Sequence, residues 1–154
     1  MLNELSNYEE GVAMKAIKNL RLQHYDYLSN GYYFVTIVTS YREALLTERR
    51  EMINHALKHL ETFSGVTLDR FVVMDDHVHL ILVLNQCPFP LGEIVRRLKA
   101  ITSKRAGIKL WQPNYYEYVI RHGIALQRIR EYILENRLVE RIKFEQFYEY
   151  QNEL

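Results

Sequence analysis

Residues 72–84 read VVMDDHVHLILVL, and the interpretation of this stretch decides the fold. The run is apolar except at Asp75, Asp76, His77 and His79. Aliphatic and β-branched residues at this density read as buried strand, whereas paired aspartates favour a turn. The pattern predicts two strands, 66–74 and 77–84, with a bend or bulge at Asp75 and Asp76. Side chains alternate between the faces of a strand, so His77 and His79 share one face while Val78, Leu80 and Leu82 take the other.

Working outward, residues 32–40 (YYFVTIVTS) are aromatic and β-branched and follow the turn signal Asn30-Gly31, which predicts an earlier strand. Between them Ile53, Ala56, Leu57 and Leu60 recur at helical spacing, with Thr47 as a cap and Ser64-Gly65 as the stop. Downstream, Pro88 and Pro90 mark a loop. Leu91, Ile94, Val95, Leu98 and Ile101 then line one face of a helix that Gly107 closes. Residues 115–120 predict a last strand and 124–139 a final helix, with a further short helix over 9–22. Strand, helix, strand, strand, helix, strand is the split βαβ order of an α+β, ferredoxin-like fold. Helices should cover one face of its antiparallel sheet, with a C-terminal helix added.

The chain has 154 residues, the length of a single domain, read as an extension (1–30), a core (31–140) and a tail (141–154). The single cysteine, Cys87, excludes an internal disulfide, and residues 1–15 lack the apolar run of a signal or membrane span. A cytoplasmic protein without membrane contact is expected. Net charge is only +1, but from Asn85 to His122 seven bases stand against two acids. The bases Arg96, Arg97, Lys99, Lys104, Arg105 and Arg121 could meet phosphate, or could simply solvate a helix face. Trp111, Tyr115 and Tyr116 could stack on bases, or pack in the core.

Two imidazoles on one strand face lie roughly 7 Å apart at the backbone, close enough to converge on one metal ion. The competing interpretation is a pair of hydrogen-bonded histidines at a sheet edge. A metal would need a third ligand from elsewhere, with positions left open for substrate. On the final helix Tyr132 and Asn136 are four residues apart and share a face, where Tyr132 could equally be core packing.

These residues carry a resemblance. His77-Val78-His79 resembles the histidine-hydrophobic-histidine (HUH) motif of single-tyrosine HUH transposases. The flanking segments GYYFVTIVTSYREALL, FVVMDDHVHLILVL, LGEIVRRLKAITSK and WQPNYYEYVIRHGIALQRIREYILENRL look like their REP-associated tyrosine branch. The resemblance implies an endonuclease and strand transferase acting on single-stranded or hairpin DNA through a 5′-phosphotyrosine intermediate. It implies that His77, His79 and Asn136 bind a metal and that Tyr132 is the nucleophile. A mixed nitrogen and oxygen donor set with open positions suits Mg²⁺ or Mn²⁺. It is compatible with a homodimer whose tyrosine helix serves the partner, and with a monomer. Three positions depart from the family pattern. Asp75-Asp76 replaces Pro-Asn before the first histidine, Glu117-Tyr118 replaces Asp-His, and Arg137 replaces a proline. An inactive or domesticated DNA-binding module of the same fold is the alternative.

Overall fold

A computed structural model describes residues 30–136. The expected helix over 9–22 and the tail lie outside them. The described elements are β1 (Gly31–Val38), α1 (Arg50–His59), β2 (Val66–Val73), β3 (His77–Leu84), α2 (Leu91–Ala106), β4 (Tyr116–Ile120) and α3 (Gly123–Asn136). The four strands form one antiparallel sheet in the order β2-β3-β1-β4. This is the ferredoxin-like order expected from the sequence, and it places the histidine strand inside the sheet rather than at an edge.

Each face of the sheet buries its own core. Tyr33, Val35 and Ile37 of β1 and Val78, Leu80 and Leu82 of β3 pack against α1 and α2 through Ile53, Leu57, Ile94 and Leu98. On the opposite face, Phe34, Ile81 and Tyr118 pack against Ala125, Ile129, Tyr132 and Ile133 of α3. The two crossover helices thus share a face as expected, and the terminal helix takes the other. Burial of this kind stabilises by roughly 1.5–3 kcal/mol per large apolar side chain.

Local chemistry differs from expectation in two places. The bulge falls between Leu68 and Arg70, not at the paired aspartates, which form the turn joining β2 to β3. An extra residue reverses side-chain parity. Val66 and Leu68 therefore face α1 and α2, as do Phe71 and Val73 beyond the bulge, while Val72 turns to the α3 side. The second difference is the start of α1. Arg49, not Thr47, precedes its first turn, and the Thr47 hydroxyl donates instead to Ala44 O and Asp75 Oδ1. Helix α2 ends as expected on Gly107, in the left-handed conformation at φ 70°. Gly65, at φ 77°, is required twice over. A Cβ there would strike the Asn85 carbonyl oxygen and lie 2.8 Å from the Cys87 backbone.

Candidate active site

The histidine pair is fixed by the register of the sheet. Thr36 of β1 lies opposite His79, and Val38 opposite His77. Paired residues point to the same face, so the Thr36 hydroxyl meets His79 Nδ1 at 2.7 Å. Asp76 Oδ1 lies 2.7 Å from His77 Nδ1. The rings themselves are 4.7 Å apart, centroid to centroid. His77 is 1% exposed and His79 is fully buried.

The two aspartates divide their work. Asp75 turns outward to Arg50 and Thr47. Asp76 is buried and orients His77, and its carbonyl accepts from the Thr39 amide and hydroxyl. A carboxylate behind an imidazole puts the proton on Nδ1 and the lone pair on Nε2, which is how metal-binding histidines are commonly oriented. Sequence reasoning missed this role, and it missed Thr36. The pairing of Thr36 with His79 depends on strand register, for which residues 32–40 alone give no signal.

Helix α3 brings Tyr132 to the same face. Its ring lies 5.4 Å from that of His79 and 6.4 Å from that of Phe34, both edge-on. Tyr132 and Asn136 are both fully buried, and Asn136 Nδ2 donates to Tyr132 O at 3.3 Å. The helix is seated by its apolar face and clasped by an ion pair. Arg130 donates to Asp69 in the β2 bulge at 2.6 and 2.9 Å, a two-pronged contact between helix and sheet. The tyrosine helix and the histidine pair meet within one chain.

Electrostatics follow from enclosure. Burial lowers the His77 pKa despite the Asp76 carboxylate, which pulls it up. His79 lies well below the ordinary value, through burial and then the charge of His77. Both rings are neutral at pH 7, the state in which imidazole ligates metal. Burial pushes the Tyr132 phenol up, and a hydrogen bond with Asn136 partly offsets the rise. Among the described residues no cluster of three or more His, Cys, Asp or Glu side chains could hold a metal. A cation here therefore needs an oxygen donor of another type. The Asn136 amide, on the same helix face as Tyr132, is chemically suited, so the residues present fit a divalent ion.

The basic segment stands apart from this site. Helix α2 packs on the other face of the sheet, so its exposed bases look away from His77 and His79. Arg96 and Arg97 both donate to Glu93, holding its carboxyl down at about 2. Arg97 also lies over Phe89, 4.2 Å from the ring centroid. Lys99 donates to the carbonyls of Gln112 and Asn114 at 2.6 and 2.9 Å, and burial lowers its pKa to about 8. Lys104, Arg105 and Arg121 are exposed. Of the two roles open to Trp111 and Tyr115, base stacking or core packing, the structure has both rings buried in the core under α1 and α2. Trp111 Nε1 donates to Thr102 Oγ1 at 2.8 Å, which satisfies the one polar atom of its ring. Tyr116 is half-buried against Val38, on the histidine face.

Comparison with known proteins agrees with this geometry. A model of the family described as "Transposase IS200 like" matches residues 27–136. A Haemophilus influenzae protein of uncharacterized function is 32% identical over 168 residues, spanning 85% of this chain and 92% of its own. The REP-associated tyrosine transposase of Escherichia coli is 27% identical over 112 residues, spanning 71% of this chain and 68% of its own. Among solved structures, a REP-associated tyrosine transposase bound to a REP hairpin superposes with a TM-score of 0.67 at 24% identity. That superposition covers 77% of this chain and 73% of the other, and it shows a shared fold. The family match runs from just before β1 to the end of α3 and takes in both histidines and the tyrosine, so the chain belongs to the IS200-like transposases.

Proposed function

We propose that this transposase cleaves and rejoins single-stranded DNA, with Tyr132 as nucleophile and a divalent cation, Mg²⁺ or Mn²⁺, held by His77, His79 and Asn136. The observation that carries this reading is the packing of the Tyr132 ring 5.4 Å from His79, on a face where two neutral imidazoles already stand side by side. When bound, the cation supplies Lewis-acid polarisation of a phosphoryl oxygen.

The chain's own residues supply the rest. Tyr132 Oη attacks the phosphorus, the bond from phosphorus to the 3′ oxygen breaks, and the 3′-hydroxyl leaves with a proton. A 5′-phosphotyrosine remains and stores the phosphodiester energy for rejoining, so no nucleotide cofactor is needed. Thr36 and Asp76 hold the imidazoles in orientation through Nδ1. Asn136 holds the phenolic hydrogen bond until the phenol must give up its proton. Tyr132 is fully enclosed, so admission of a strand requires α3 to shift on the sheet. The hairpin bound by the structural relative supports hairpin or single-stranded DNA as the partner.

Complete enclosure of Tyr132 also favours a second reading, a DNA-binding module of the same fold without chemistry. One experiment separates the two. Single-stranded hairpin oligonucleotides are incubated with the protein and Mn²⁺, and the products are run on a denaturing gel. A covalent adduct that Tyr132→Phe abolishes, with binding retained, supports the enzyme. Binding without an adduct in the unaltered protein supports the module.

A further inference from the structure

The turn after β1 carries two adjacent residues in the left-handed region, Tyr41 at φ 56° and Arg42 at φ 53°. Neither is a glycine or asparagine, the residues that adopt this conformation readily, so the turn holds these side chains against a backbone preference. Such strain persists only where the surroundings over-determine it, and here they do. The Arg42 amide donates to Thr39 O at 3.0 Å and the Glu43 amide to Ser40 O at 3.2 Å. Ser40 Oγ donates to the carbonyls of Lys109 and Trp111, and Thr39 Oγ1 to those of Glu43 and Asp76.

The turn is thereby tied to the histidine site. Thr39 follows Val38, the strand partner of His77, and binds Asp76, the residue that orients His77. Tyr41 is 90% exposed, the most exposed of the large apolar side chains among the described residues. An exposed aromatic ring, carried on a fixed turn at the histidine end of the sheet, matches the base face that a single strand presents.

We infer that Tyr41 stacks on a base next to the reacting phosphate, so that this turn positions the substrate. The inference rests on the DNA-strand reading above. Its test is a titration of fluorescein-labelled single-stranded oligonucleotides in EDTA, which reads binding without chemistry, alongside the Mn²⁺ adduct gel. Tyr41→Ala is expected to weaken binding about tenfold, with Tyr41→Phe restoring it. An oligonucleotide with abasic positions should bind the unaltered protein as weakly as it binds Tyr41→Ala. Tyr41→Gly should raise Tm by about 4 °C through relief of strain while lowering affinity, an opposition that a merely structural residue would not show. If the unaltered protein binds and forms adducts but Tyr41→Ala matches it on both oligonucleotides, this inference falls and the enzyme reading stands. Absence of both binding and adduct in the unaltered protein would overturn both.

Discussion

Lowering the pH from 7 to 5 in the presence of a chelator is expected to cost the folded protein up to about 2 kcal/mol through His79 alone. In the unfolded chain this imidazole titrates at its ordinary value of 6.5, whereas in the fold burial holds it well below. A depressed folded-state pKa means that below pH 6.5 the unfolded chain binds the proton that the folded chain refuses. The contribution is therefore intact above 6.5 and is lost as the pH falls, until the folded group also titrates. Each pH unit in that window costs about 1.4 kcal/mol, which sets a ceiling of about 2 kcal/mol at pH 5. His77 acts in the same direction but less strongly, because Asp76 opposes the effect of burial. Against a total stability of about 5–15 kcal/mol the loss is easily measured. Urea denaturation of the unaltered protein and of His79→Gln, each at pH 7 and pH 5, isolates the effect from that of the surface carboxylates. The unaltered protein should lose more than the variant, by up to about 2 kcal/mol. Equal losses would show that His79 is not held neutral by its surroundings, and the description of the site would fail with it.

Three further outcomes are expected. Asp76→Ala should weaken Mn²⁺ binding about 10- to 100-fold in calorimetry by releasing His77. Asp75→Ala, which removes the outward contacts to Arg50 and Thr47 and no hydrogen bond to His77, should leave that affinity within about twofold. Gly65→Ala should destabilise by at least about 2 kcal/mol in urea melts, since the new methyl meets backbone atoms in a conformation that L-residues disfavour. Trp111→Phe should cost about 1 kcal/mol for the lost bond to Thr102, with affinity for single-stranded DNA unchanged because the ring is buried.

What the sequence made legible was whatever rests on local periodicity. The alternation in residues 77–84 correctly put both histidines on one face, and the spacing of Tyr132 and Asn136 put both on the buried face of α3. Hidden features depend on which segment lies across the sheet. Val72 faces α3 only because Asp69 is bulged, and a bulge is visible only against a partner strand. Thr36 is an ordinary strand threonine until register sets it opposite His79. The excess of positive charge between Asn85 and His122 gave no sign that α2 lies on the far layer, since a count along the chain carries no information about faces. Asp75 and Asp76 read alike in sequence, and only the turn that sends one outward and the other inward separates their roles.

The last described helix has two duties that cannot be parted. It carries Tyr132, and among the described residues it is the helix that covers the apolar patch made by Phe34, Ile81 and Tyr118. A frameshift that deleted it would leave an adhesive sheet prone to clump, not a quiet remnant still gripping nucleic acid. On the function proposed above, a point change at Tyr132 removes the chemistry without baring that patch, whereas loss of the helix bares it.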